Sequence, residues 1–140
     1  MTFECAYTTK PEHIDFQGIM DGLYYPFYLE ECRHRYAEEV LGLGLKQAAE
    51  KGVNVVLSQY TIKFLRSLRK DDAFVVTCSG HPDKQGKPQF HLKQEIRREG
   101  KLIASALFTA TCVRASGGRS FVPDDVLERL RDAEPVELAA

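Results

Sequence analysis

The sequence carries no excess of charge of either sign: 19 Lys and Arg stand against 20 Asp and Glu, a formal net charge of -1. A chain without a basic field has no general means of holding a nucleic-acid backbone or an anionic membrane surface, so neither partner is expected. No stretch approaches the roughly 18 apolar residues of a membrane span, and the opening residues MTFECAYTTKPEHID lack the apolar run of a secretory signal. The expected compartment is the cytoplasm. Cys5, Cys32, Cys78 and Cys112 form no C-x-x-C pair, and His13, His34, His81 and His91 show no H-x-x-x-H or Cys/His spacing that would close a zinc site. Neither a metal nor a disulfide framework is expected, and the cysteines read as reduced, mostly buried thiols. Repeats and low-complexity linkers are missing as well.

What is present is material for one core. A chain of 140 residues fits a single domain, 1–140, and 44% hydrophobic with 28% charged residues is ordinary for a chain that folds. Phe3, Cys5 and Tyr7 alternate with polar neighbours up to Thr9, as in a short strand closed by Pro11. HIDFQGIMDGLYYP, with Gly18 and Gly22, reads as an irregular loop opening into a helix. From Tyr25 to Leu41, the residues Tyr25, Tyr28, Leu29, Cys32, Tyr36 and Val40 recur at steps of three and four, the apolar stripe of one helix. Pro26 is compatible only with its first turn, and Gly42 and Gly44 end it before a short helical turn over Lys46 to Lys51.

The period then changes. Val53–Leu68, Ala73–Ser79, Gln89–Arg98 and Leu102–Arg114 are strand-like, separated by RKDD, HPDKQGKP and REGK, which read as hairpin connections. DDVLERL, Asp124 to Leu130, follows Pro123 as a terminal helix. One strand, one helix and four further strands predict an α+β domain, a mostly antiparallel sheet with the helix on one face. A five-stranded sheet leaves two edges, so a second copy continuing the sheet is expected.

Three segments resemble a known family. Asp15, Gly18, Tyr25, Glu30 and Arg33 match the spacing D-x-x-G-x-x-x-x-x-x-Y-x-x-x-x-E-x-x-R of hotdog-fold acyl-CoA thioesterases of the 4-hydroxybenzoyl-CoA thioesterase type. Phe64-Leu-Arg-Ser-Leu-Arg-Lys-Asp-Asp72 is similar to that family's F-L-R-P-L-R-x-G-D, with Ser67 and Asp71 replacing Pro and Gly. FHLKQEIRREGKLIASALFTATCV and FVPDDVLERL resemble its closing hairpin and terminal helix. The resemblance implies a hotdog fold, a five-stranded antiparallel sheet wrapped around one long helix, forming a homodimer or a dimer of dimers with sites between subunits.

The resemblance further implies thioester hydrolysis, with Asp15 as base or nucleophile and the Gly22 N–H as oxyanion donor. That N–H would lie at a helix start, where amides are unpaired and the dipole is positive. No Cβ blocks its approach. Gly18, Asp21 and Tyr25 are the expected substrate contacts in the same segment. Arg66 and Arg69, with Lys70 beside them, are candidates for the phosphates of coenzyme A. Coenzyme A would enter as part of the substrate, an acyl-CoA or alternatively an acyl carrier protein thioester, with no separate cofactor. Relatives carry G-H-V-N or G-V-V-Y-H where this chain has Gly18-Ile-Met-Asp21-Gly22, so the usual His or Asn is missing. Glu30 and Glu31 are alternative bases on the helix, but their spacing to Arg33 and Arg35 favours surface ion pairs. Two other readings share the fold: a non-catalytic acyl-CoA binding protein and a hotdog hydratase or dehydratase.

Overall fold

The structure, a computed structural model, describes residues 2–138; positions 1, 139 and 140 of the expected domain lie outside the described residues. Strand β1 (Phe3–Thr8) leads through a loop to helix α1 (Tyr25–Glu39) and a short helix α2 (Leu45–Glu50). Strands β2 (Val53–Phe64), β3 (Ala73–Pro82), β4 (Phe90–Arg98) and β5 (Lys101–Arg114) follow, then helix α3 (Asp124–Leu130). All five strands join one sheet in the order β1-β3-β4-β5-β2, and every neighbouring pair is antiparallel. With α1 laid on one face, this is the expected hotdog arrangement.

Local chemistry explains the elements. Pro26 sits in the first turn of α1, where its missing N–H costs nothing. Tyr25, Tyr28, Leu29, Cys32 and Tyr36 are buried as their spacing requires. Val40 is not: it is 39% exposed, and Leu41, at 0%, takes the inward position. The helix stops at Glu39, and Gly42, at φ +65, turns the chain in a conformation that L side chains rarely adopt. Opposite the helix, Val76, Phe90, Ile96 and Phe108 fill the core from the sheet. Burying each such side chain stabilises by about 1.5–3 kcal/mol. All four cysteines are free and buried. Among the described residues, no helix is long and apolar enough to cross a membrane.

One expected connection is different. HPDKQGKP and REGK do join paired strands, but RKDD is not a hairpin: β2 pairs with β5 at one edge, and β3 lies between β1 and β4. Alternation along β2 marks it as a strand without naming its partner, and the residues after it are held elsewhere. Leu68 N–H donates to the Tyr25 hydroxyl (3.0 Å), and Met20 N–H to Leu68 O (2.8 Å). Those bonds tie the 65–72 segment to the start of α1, so the chain crosses the end of the sheet and cannot double back.

A buried polar chain braces the β3–β4 hairpin. His91 Nε2 lies 2.8 Å from Asp83 Oδ1, and its Nδ1 2.9 Å from Thr109 Oγ1. His91 and Thr109 have no exposed surface, so the chain serves the fold and not a substrate. Burial opposes ionisation of Asp83, but bonds from Gln89, His91 and the Lys87 and Gln85 amides prevail and hold its pKa at about 2. Since the folded value lies below the ordinary one, this stabilisation is complete above about pH 4 and is lost as pH falls through about 2. Asp83→Ala is expected to lower stability at pH 7 by about 2–3 kcal/mol, because it strands a buried imidazole N–H. The variant should also lose part of the acid dependence between pH 4 and 2. Urea denaturation at several pH values checks both.

Candidate functional site

The loop from His13 to Asp21 folds as a small hairpin. Ile14 and Met20 bridge antiparallel, Asp15 N–H donates to Ile19 O (2.9 Å), and Asp21 N–H to His13 O (3.0 Å). At its tip Gly18 N–H donates to Asp15 O (3.0 Å), a turn that needs the positive φ of Gly18, +81. Asp15 is half-buried, and both of its carboxylate oxygens are engaged by one neighbour: Oδ1 accepts from Gln17 N–H (2.7 Å) and Oδ2 from Gln17 Nε2 (3.1 Å). Each oxygen keeps a further lone pair for a proton in transfer. Beside it Phe16 projects into solvent, 98% exposed.

The other end of this hairpin starts the helix. Asp21, extended at φ -61 and ψ 137, caps a 3-10 turn over Gly22–Tyr24: its Oδ1 accepts from Leu23 N–H (2.9 Å), and its carbonyl from Tyr24 N–H (3.0 Å). That leaves the Gly22 N–H without an acceptor among the described residues, and no atom lies within 4 Å of where a Cβ would stand. Tyr25 is 3% exposed, edge-on to Phe64, with its hydroxyl accepting from Leu68 N–H. Its side chain therefore positions the helix start and offers no surface to a ligand, a correction to the expected substrate contact. His13, assigned no role from sequence, is buried, stacked on Tyr24 (4.1 Å) with Nδ1 2.8 Å from the Tyr28 hydroxyl. It braces the hairpin from beneath.

The strand end at 66–72 comes to the same place. Ile19 and Arg69 form an antiparallel bridge, so Arg69 lies beside the Gly18 turn with an exposed side chain. Arg66 is also exposed, its Nη1 donating to Leu102 O at 3.4 Å. Asp72 closes the turn by accepting from Arg69 N–H (2.8 Å). Asp71, where relatives have glycine, sits at φ +63, a conformation that Asp tolerates better than most side chains. Asp15, Gly18, Asp21, Gly22 and Arg69 are thus gathered around one end of α1.

A second feature lies farther along the helix. Between α1, α2, β2 and the ends of β4 and β5 is a cavity of about 270 Å³, walled by Leu43, Leu45, Val55, Phe90, Leu92 and Ala110. Its polar lining is Glu30, Arg33 and His34; Asp15 and Gly22 are not part of it. Glu30 and Leu57 are exposed, which sets the mouth between α1 and β2. The expected Glu30–Arg33 surface pair does not form. Glu31 does pair with Arg35 (3.7 Å), but Arg33 turns inward, 5% exposed, its guanidinium 4.0 Å from the centre of the Phe108 ring. Position 33 is four residues after Leu29 and three before Tyr36, both buried, so helical spacing already put it on an inward face. Burial also lowers the pKa of His34, leaving its imidazole neutral at pH 7.

Comparison with known proteins places this geometry. Residues 9–130 match the model of the thioesterase-like superfamily. Over 73 residues, 52% of this chain, the sequence is 33% identical to the chloroplastic acyl-acyl carrier protein thioesterase ATL3 of Arabidopsis thaliana, and the match spans 38% of that relative's length. Among solved structures, the 1,4-dihydroxy-2-naphthoyl-CoA thioesterase Slr0204 from Synechocystis superimposes with a TM-score of 0.82 at 16% identity, covering 95% of this chain and 98% of that one. SAV2348 from Staphylococcus aureus, a structure in complex with CoA, also gives 0.82, at 19% identity over 100% of this chain and 90% of that one. At such identities the structures speak for the fold, while the family match covers nearly the whole domain: the chain belongs to the thioesterase-like superfamily.

Proposed function

We propose that the protein hydrolyses an acyl thioester, with coenzyme A or an acyl carrier protein as the carrier. The observation that carries this reading is the Gly22 N–H, without an acceptor among the described residues, at the 3-10 turn that leads into α1, and joined by one hairpin to Asp15. Asp15 takes a proton from water as it attacks the thioester carbonyl, or attacks the carbonyl itself. The oxyanion so formed accepts from Gly22 N–H and is favoured by the positive end of the α1 dipole. Collapse of the tetrahedral intermediate expels the carrier thiolate, which takes up a proton; where Asp15 itself attacked, water then cleaves the resulting anhydride, releasing the acid and restoring the carboxylate. Gly18 keeps the approach to Asp15 low, Asp21 fixes the turn that aims the Gly22 amide, and Tyr25 holds that turn to Leu68. Arg69, beside the Gly18 turn, and Arg66 supply cations for the phosphates of a pantetheine-bearing carrier. None of these steps draws on a metal or a redox cofactor.

The active unit in this reading is a homodimer or a dimer of dimers. Strand β2 is an edge, paired only with β5 among the described strands, and it exposes Leu57, Tyr60 and Phe64. A long apolar edge strand is a template for another chain. Sedimentation is expected to give a mass of at least twice 15.8 kDa, and Leu57→Lys is expected to shift the protein toward monomer. A stable wild-type monomer removes the interface from the proposal.

Glu30 offers a second reading of the base, favoured by its unpaired position on the cavity lining. Steady-state hydrolysis of a panel of acyl-CoA and acyl carrier protein thioesters tests the proposal, with Asp15→Asn and Glu30→Gln as the discriminating variants. No turnover on any thioester would leave a binding protein or a hydratase, and the hydrolase reading would be rejected.

A further inference from the structure

We propose that the cavity between α1 and β2 receives the far end of a compact acyl group bearing a carboxylate, and that Arg33 selects that carboxylate. Arg33 is a buried cation with no carboxylate among the described residues in contact: Glu30, at the exposed mouth, acts on it favourably but from beyond ion-pair distance, and burial outweighs that attraction. No Asp or Glu carboxylate among the described residues forms an ion pair with it, and its one hydrogen bond is from Nη1 to Gln94 Oε1, long at 3.3 Å. Gln94 cannot serve as more than a neutral prop: it is 1% exposed, and its own amide nitrogen donates to Leu29 O at 2.9 Å.

The guanidinium is nevertheless held in place. Its face lies on Phe108, which leaves the N–H donors of its edge pointing in the plane, the geometry that grips a carboxylate through two bonds. Keeping such a charge out of water is costly unless something completes it, and burial accordingly lowers the Arg33 pKa. The cavity it lines supplies little: the other lining groups are apolar apart from Glu30, whose favourable charge is weakened by solvent at the mouth and does not offset the burial, and His34, whose pKa burial lowers. An anionic ligand group would supply the missing charge.

Size narrows the ligand. An apolar cavity of about 150 Å³ accommodates benzene, so about 270 Å³ holds one ring, or a chain of similar bulk, together with a carboxylate. The identity of the substrate as a thioester rests on the hydrolase reading, but occupancy of the cavity does not, and the two are tested apart.

The first arm follows the Arg33 Nε–H resonance of the full-length protein during titration with benzoate and, separately, with benzamide, which has the same shape and no charge. Benzoate is expected to move the resonance and saturate, with benzamide at least about tenfold weaker. In Arg33→Met the two should bind alike. A buried ion replaced by an apolar side chain of similar length usually leaves a protein folded, and the wild-type comparison needs no variant at all. Equal binding of both probes by wild type, or no response of Arg33 to benzoate, overturns the assignment.

The second arm compares kcat/KM for adipyl-CoA and hexanoyl-CoA, equal in chain length. Wild type is expected to favour adipyl-CoA by about tenfold or more, and Arg33→Met to bring the ratio near one. Turnover of both without preference defeats the carboxylate assignment alone. Absence of turnover on both and on the whole panel of acyl-CoA and acyl carrier protein thioesters, with benzoate still bound at Arg33, defeats the hydrolase reading alone.

Discussion

Asp15→Asn is expected to lower kcat for thioester hydrolysis by a factor of about 10²–10⁴, the range over which a positioned general base contributes. The substitution keeps the size of the side chain and an oxygen to accept from Gln17 N–H, now 2.7 Å from Oδ1. The contact from Gln17 Nε2 to Oδ2 is lost in its present sense, but both groups are partly exposed and water replaces it. Backbone bonds from Gly18 N–H to Asp15 O and from Asp15 N–H to Ile19 O do not involve the side chain, so the hairpin persists. Stability should therefore change by no more than about 0.5 kcal/mol, as for most half-exposed sites. KM should hardly move, because the lost group acts on the proton of water and not on the acyl chain. A burst of free thiol before the steady state in wild type would assign Asp15 as nucleophile and not base. Should Glu30→Gln carry the large loss while Asp15→Asn keeps its rate, the base belongs on the helix, beside the cavity.

Much of this architecture was legible because its causes are local. Apolar residues at steps of three and four from Tyr25, Pro26 in the first turn and Gly42 after the end predict α1 to within two residues of its observed span, Tyr25–Glu39. Asp124–Leu130 is helical as its sequence suggests. What stayed hidden depends on residues far apart in the chain. Whether β2 joins β3 or β5 is decided by where 65–72 is anchored, and that anchor, Tyr25, lies 43 residues away. The cavity draws on two helices and three strands, so no segment announces it. Arg33 had a local signal, its place between Leu29 and Tyr36, but its charge argued for the surface, and only Phe108 and Gln94 on the sheet show why it can face inward. His91 and Asp83 meet across a hairpin loop that places an acid eight residues away against the imidazole.

Gly22→Pro is expected to lower kcat by about 10²–10³, the loss found when one oxyanion donor is removed, while leaving the protein as stable as wild type to within about 1 kcal/mol. Proline deletes the amide hydrogen and nothing else that the turn uses. Gly22 opens a 3-10 turn, the position where proline is best tolerated, and its N–H bonds to no acceptor among the described residues, so none is broken. The residue before a proline must be extended, and Asp21 already is, at φ -61 and ψ 137, with its cap to Leu23 N–H unaffected. No atom lies within 4 Å of the Cβ position, so that carbon meets no obstacle, while Cδ takes the place of the amide hydrogen. That same space is where the thioester carbonyl approaches, and Gly22→Ala controls for crowding by the Cβ: it adds that carbon but keeps the N–H. A large kcat loss in Gly22→Pro with a small one in Gly22→Ala assigns the oxyanion to this amide. Equal losses in both mean that crowding is responsible, and no loss in Gly22→Pro moves the oxyanion donor away from Gly22 altogether.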